Sequence, residues 1–247
     1  DKSFWRDGKL YMNINIYICS KKRYIAMKTV IFDLDGTLLN TLDDLHNSVA
    51  FALKKADLPP IDKMDTRRFL GNGVKNLIEK CVGHVAPDAG QTVKDDVLRI
   101  FKNHYVEHSM EKTAPYEGVD NMLKACKETG IHTAIVSNKL DAAVQDLYRK
   151  FFDQWVDLAI GETAAMKRKP APDMVEEAIK RLSDKCGMKI NKDNCVYVGD
   201  SEVDLQTAKN AGIRCVAVSW GFRDRDWLIE CGAQCIINKP MELLSIL

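Results

Sequence analysis

From Val30 onward, short apolar runs alternate with longer stretches whose apolar residues recur at helical spacing. That alternation marks βαβ units wound around a parallel sheet. Strands are expected near 29–32, 132–137, 158–161, 195–199, 214–219 and 234–238. The first interval is too long for a single crossover, and from about Thr41 to Lys112 the pattern stays helical. Leu42, Leu45, Val49, Ala52 and Leu53 form one apolar stripe. Val74, Leu77, Ile78 and Cys81 form a second, and Val93, Val97, Ile100 and Phe101 a third. The expected architecture is therefore α/β. A doubly wound parallel sheet is built from residues 27–40 and 113–247, and an all-helical cap over residues 41–112 interrupts it. The chain returns to the sheet through Ala114-Pro115-Tyr116-Glu117-Gly118, where Pro and Gly act as punctuation.

Residues 1–26 stand apart from this pattern. Met12, Ile14, Ile16 and Ile18 alternate with Asn13, Asn15 and Tyr17, which fits an added edge strand or a leader outside the working domain. Met27-Lys28, just before the first strand, resembles a natural start, so 1–26 is read as a leader. The tract lacks the small-residue cleavage site of a secretory signal, and no run approaches the roughly 20 apolar residues of a membrane helix. A net charge of +1 argues against a broad footprint for nucleic acid or an anionic membrane. The eight cysteines include no C-x-x-C pair, and several sit inside apolar runs such as Cys195-Val196-Tyr197-Val198. That usage suits a reducing cytoplasm.

The chemistry begins at Asp33-Leu34-Asp35-Gly36-Thr37-Leu38, directly after the first apolar run. Side chains two residues apart on a strand face the same way, so Asp33 and Asp35 would be delivered together to the C-terminal sheet edge, where open α/β sheets bind ligands. Gly36 permits a sharp turn, and Thr37 adds a hydroxyl beyond it. A calcium loop of the EF-hand type would need Gly and Glu at its sixth and twelfth places, which hold Leu38 and Asp44. A solvated acidic turn and a structural metal clip are the remaining plain readings. Three later elements follow the same logic. Ser137-Asn138 ends the second strand and offers donors for phosphoryl oxygens, or forms an ordinary turn. Lys169, stiffened by Pro170 and Pro172 before a helix near Asp173, offers a held ammonium, or belongs to a solvated basic cluster. Gly199-Asp200-Ser201 ends another strand with Asp204 about one helical turn on, which gives a metal ligand and its support, or a helix cap.

In combination these elements resemble the haloacid dehalogenase-like hydrolase superfamily, and within it the phosphoglycolate phosphatase-like group with a helical cap. The resemblance runs from about Met27 to the C-terminus and covers all four superfamily motifs; Phe69-Leu70-Gly71-Asn72-Gly73-Val74 and Trp220-Gly221-Phe222-Arg223 also resemble that group. It implies a Rossmann-like core and a Mg²⁺-dependent phosphatase acting on a small phosphorylated metabolite, 2-phosphoglycolate first among them. By the same resemblance Asp33 is the nucleophile and Asp35 the acid/base. Ser137 and Lys169 hold the phosphoryl group, with Gly36, Thr37 and Asn138 assisting. Mg²⁺ is held by Asp33, Asp35 (through its backbone carbonyl) and Asp200, with Ser201 and Asp204 behind them.

An acid at position 35 favours phosphoryl transfer over dehalogenation, because an alkoxide leaving group needs a proton and a halide does not. Gly71-Asn72-Gly73 is the candidate substrate contact in the cap, or an ordinary helix–helix turn. Arg67, Arg68 and Lys75 are nearby cations that could meet a carboxylate, or form a solvated face. A phosphomutase of the β-phosphoglucomutase kind shares the motifs and is the alternative. A non-catalytic binding module on the same fold is the third reading, against which the intact set Asp33, Asp35, Lys169 and Asp200 argues. A monomer or weak homodimer is expected, with neither nucleic acid nor membrane as partner.

Overall fold

Thr29–Phe32 forms strand β1, and every residue in it is buried. Alternate side chains on a strand face opposite sides. Val30 and Phe32 accordingly join one apolar cluster with Ile135, Val196 and Val198, while Ile31 joins another with Ala134, Val136 and Tyr197. A strand covered on both faces must be apolar throughout, which is why it reads as an unbroken run rather than an alternation. The computed structural model describes residues 4–6, 9–11 and 28–247.

After β1 come four helices among the described residues: α1 (Leu42–Lys55), α2 (Lys63–Phe69), α3 (Gly73–Val85) and α4 (Gln91–His108). They bury a cluster of their own that includes Leu45, Val49, Leu53, Leu77, Ile78 and Phe101, drawn from the three stripes. The chain then runs through α5 (Val119–Glu128), β2 (His132–Leu140), α6 (Asp141–Phe151), β3 (Leu158–Glu162) and α7 (Asp173–Cys186). It continues with β4 (Cys195–Gly199), α8 (Glu202–Ala211), β5 (Arg214–Val218), α9 (Arg225–Glu230), β6 (Ile236–Ile237) and α10 (Leu243–Ile246). The strands form one parallel sheet in the order β6-β5-β4-β1-β2-β3. Helices α5, α6 and α10 contribute to the cluster on one face, and α7 and α8 to that on the other.

Two strands differ from expectation by more than a single residue. β2 continues past Ser137 to Leu140, with a register shift against β3 between Val136 and Leu140, so Asn138 and Lys139 belong to the strand end. β6 is confined to Ile236–Ile237 because the chain has only two residues in register with Ala217 and Val218 there. The expected leader and its alternating tract lie outside the described residues, apart from an antiparallel pair, Phe4–Arg6 with Lys9–Tyr11.

The helical insert is joined to the sheet by a two-stranded antiparallel ribbon, Leu39–Asn40 against Ala114–Pro115. Asp44, buried at the start of α1, ties this junction: its carboxylate accepts from Thr113 N at 2.9 Å, Thr113 Oγ1 at 2.8 Å and Lys112 N at 3.0 Å. Removing the acceptor would leave buried donors unpaired. Asp44→Ala is expected to lower the unfolding free energy by about 3 kcal/mol, read from urea denaturation. A loss below about 1 kcal/mol would show that the ribbon does not depend on this clamp.

Candidate active site

Register brings the site together. Thr29 lies opposite both His132 and Cys195, so the three central strands start level, and Asp33, Ser137 and Asp200 reach one edge of the sheet within about one residue of each other in register. Asp33 N donates to Val198 O at 2.8 Å, which extends the pairing by one residue. The chain then closes into a tight loop in which Thr37 N, Leu38 N and Leu39 N converge on Leu34 O at 3.3, 3.0 and 3.0 Å. Asp35 therefore sits on this loop, not on the strand. The expectation that strand alternation aligns the two acids is corrected: the loop, with Leu34 packed into the core, turns both carboxylates toward the same cavity. Gly36 is required twice over, since its φ of 88° is left-handed and a Cβ there would lie 2.4 Å from Asp200 Oδ2.

Lys169 is the centre of the buried network. Its Nζ lies 2.7 Å from Asp33 Oδ1 and 2.8 Å from Asp204 Oδ1, and it donates to Tyr197 Oη at 3.0 Å. The Asn138 side chain clamps the same residue from behind, accepting from Lys169 N at 2.7 Å and donating to Lys169 O at 3.0 Å. Asn138 was expected to assist the phosphoryl group; its side-chain amide holds Lys169 with its oxygen and one of its N–H groups. Asp204 likewise supports Lys169, and its second oxygen accepts from Ser201 N and Ser201 Oγ at 3.1 and 2.7 Å in the capping box of α8. The Ser137 hydroxyl is buried at the cavity wall and accepts from Lys139 N at 3.2 Å, leaving its own proton to donate.

Asp200 is placed by the segment after β5. Phe222 N donates to Asp200 Oδ2 at 2.6 Å, and a Cβ on Gly221 would lie 2.3 Å from Asp200 Cβ. Thr37 Oγ1 stands 3.5 Å from Asp200 Oδ1, so Thr37 faces this carboxylate. Trp220 Nε1 donates to Thr37 O at 3.0 Å. Arg223 continues outward, donating to Leu70 O at 2.7 Å on the insert and pairing with Glu202 at 2.8 Å on the core. The Trp220-Gly221-Phe222-Arg223 tract is thus the seam between cap and sheet.

The charges do not balance. Burial raises the Asp33 carboxyl to about 7; Lys169 pulls it down, while Asp204 and Asp35 push it up. Burial, then the neighbouring Asp204 and Asp33 charges, raises Asp200 well above the usual carboxylate range. Lys169 is raised despite burial because Asp204 and Asp33 surround it. Asp33, Asp200 and Asp204 each present an oxygen, and these oxygens all lie within 4.8 Å of one another. A pocket of hard carboxylate oxygens short of positive charge fits a dication such as Mg²⁺. Asp204 is occupied by Lys169, Tyr197 and Ser201, which leaves Asp33 and Asp200 as the side chains available to an ion.

Above these groups lies a cavity of about 60 Å³, whose lid is the insert: Leu45, Leu70, Gly71, Gly73, Val74 and Leu77. Gly71 and Gly73 line it, whereas Asn72, expected beside them, does not. Arg67 pairs with Asp224, Arg68 with Asp65, and Lys75 with Glu79, so none of the three lines the cavity. Lys139 lies outside the motif residues named from the sequence. Its Nζ donates to both Asp35 oxygens at 3.0 Å and to Tyr105 Oη at 2.9 Å. Although burial opposes its charge, Asp35 and Tyr105 hold Lys139 above the usual lysine range. Its place directly after Ser137-Asn138 was the available signal; Tyr105, on α4, had none.

Comparison with known proteins agrees with this geometry. A family model described as haloacid dehalogenase-like hydrolase matches residues 30–218. A phosphoglycolate phosphatase of Mesorhizobium japonicum is 33% identical over 79% of this chain and 84% of its own length. One from Aquifex aeolicus is 27% identical over 90% of this chain and 97% of its own. Among solved structures, a candidate phosphoglycolate phosphatase of Lactobacillus delbrueckii subsp. bulgaricus superposes with a TM-score of 0.84 at 33% identity, over 90% of this chain and 98% of that one. With the matched model covering most of its length and the acids, serine and lysine converging at one sheet edge, the chain belongs to the haloacid dehalogenase-like hydrolase family.

Proposed function

We propose that the protein is a Mg²⁺-dependent phosphatase that hydrolyses a small phosphomonoester, with 2-phosphoglycolate the leading substrate. The observation that carries this reading is the buried cluster of Asp33, Asp200 and Asp204 oxygens with Lys169 only 2.7 Å from Asp33. The names of the relatives favour phosphoglycolate. The cavity favours a compact substrate, since about 60 Å³ is far below the roughly 300 Å³ at which pockets begin to take drug-sized ligands.

Asp33 and Asp200 would hold the Mg²⁺, together with the Asp35 backbone carbonyl. When bound, the ion offsets the charge of the attacking carboxylate and of the phosphate dianion, which otherwise repel each other in a site poor in water. In the first half-reaction a carboxylate oxygen of Asp33 forms a bond to phosphorus, the bond from phosphorus to the ester oxygen breaks, and Asp35 gives that oxygen a proton. Lys169 and the Ser137 hydroxyl hold the phosphoryl oxygens. In the second, water attacks phosphorus, Asp35 takes its proton, and the Asp33–phosphorus bond breaks to release phosphate. The apolar lid keeps bulk water from the ester bond.

Asp33→Asn should cut phosphate release from 2-phosphoglycolate by at least about 10³-fold while leaving the circular dichroism spectrum unchanged. Residual activity near the wild-type rate would remove Asp33 as nucleophile. Asp35→Asn should cost about 10²–10⁴-fold in kcat; a smaller loss than tenfold would place the proton donor elsewhere.

Metal binding should depend on pH in a fixed direction. The Asp33 carboxyl is raised in the fold, so its ionised form burdens the metal-free protein fully above pH about 7. The burden disappears as pH falls through that value toward the unfolded carboxyl range. Saturating Mg²⁺ should therefore raise Tm more at about pH 8 than at about pH 5, read by differential scanning calorimetry. An equal or reversed shift would contradict the placement of the ion at Asp33.

A further inference from the structure

Lys139 occupies a position that the phosphoryl chemistry leaves unused. It lies at the end of β2, buried, and each of its three N–H groups has a partner: the two oxygens of Asp35 and the hydroxyl of Tyr105. Its ammonium also lies 4.9 Å from the centre of the Tyr105 ring. Tyr105 is itself buried on α4, in the helical insert, so Lys139 joins the lid to the residue assigned the proton transfers.

Two features of this arrangement matter. While Lys139 covers both Asp35 oxygens, neither is free to meet the ester oxygen or the attacking water. In addition, Lys139 and Lys169 are the cations among the described residues that line the cavity, and Lys169 is held between Asp33 and Asp204. The lid offers aliphatic side chains and glycine backbone to the cavity and no cation of its own. A second anionic group on a bound phosphomonoester therefore meets Lys139 as the cavity-lining cation on the lid side of the phosphoryl site among the described residues, with Arg168 Nη1 farther out, behind Gly73.

We infer that Lys139 is the specificity-determining residue of this site, binding a carboxylate on the substrate and, by exchanging Asp35 for it, releasing Asp35 to the ester oxygen. This rests on the phosphatase reading above. The exchange forms and breaks no covalent bond. One carboxylate replaces another on the same ammonium, while Tyr105 Oη stays on its third N–H and keeps it oriented. A phosphomonoester without a second anion leaves Asp35 on Lys139 and so is turned over slowly even when its phosphate is bound. Discrimination then acts on kcat as well as on KM, unlike a simple binding contact.

The test compares kcat/KM for 2-phosphoglycolate and for ethyl phosphate, which has a neutral methyl group where the first has a carboxylate, in the full-length protein with Mg²⁺. Lys139→Met should lower the preference for 2-phosphoglycolate on the order of 10²-fold, the scale for removing one partner of a buried charge pair. The fall should be carried by both kcat and KM for 2-phosphoglycolate, and Lys139→Arg should restore part of it. Tyr105→Phe should lower the preference in the same direction by a smaller factor. If Lys139→Met fails to fold by circular dichroism, Lys139→Gln reads the same ratio. A preference that changes by less than about threefold, with both esters losing equally, overturns the inference and leaves Lys139 as a support for Asp35. Wild-type protein that releases phosphate from neither ester overturns the phosphatase reading instead.

Discussion

The site depends on one buried ion-pair arrangement: Lys169 between Asp33 and Asp204. Taking charges out of water is costly, and it is tolerated where partners and hydrogen bonds are complete. Here the ammonium has a partner for each N–H, and its backbone is gripped by Asn138. The grip matters because Lys169 reaches the sheet from the connection after β3, not from a strand. Without Asn138, Tyr197 and Asp204, nothing in the local chain would aim it at Asp33.

The same site is deliberately short of positive charge. One lysine faces the carboxylates of Asp33, Asp200 and Asp204, and burial, together with the neighbouring carboxylate charges, raises both Asp33 and Asp200. A fold that buries such a cluster is poised for a cation that offsets it. Asp200 is held at this distance by backbone: the Phe222 amide on one oxygen, with Gly36 and Gly221 close enough that any side chain would collide with it. The Phe222 and Gly221 contacts come from the segment that also binds the insert through Arg223, so the position of the metal-facing carboxylate and the seating of the lid are mechanically linked.

Besides the Arg223 seam, cap and core meet at two further places. At the ribbon the junction is fixed by Asp44 and short antiparallel pairing, while across the cavity Tyr105 reaches Lys139 and, through it, Asp35. The first sets where the insert is attached. The second makes the environment of the proton-transferring carboxylate depend on where the insert sits, since Tyr105 can reach Lys139 only when α4 lies over the sheet edge.

Periodicity alone carried the fold. The six strands and the long helical interval follow from apolar runs bounded by turns, because burial on both faces of a parallel sheet leaves no room for polar alternation. Asp33, Ser137 and Asp200 were legible for a related reason: in this architecture chemistry gathers where strands end, and strand ends can be read from sequence. Lys169, which lies on a connection, was singled out by the prolines that stiffen its tract before a helix. Strand alternation did not align Asp35 with Asp33, because the chain leaves the strand at Phe32 and a loop hydrogen-bonded to Leu34 O takes over. The roles of Asn138 and Asp204 as holders of Lys169, the absence of Asn72 from the cavity wall, and the meeting of Lys139 with Tyr105 were settled only by packing. Each depends on which way a side chain turns among neighbours distant in the chain, and sequence spacing encodes direction only within a single helix or strand.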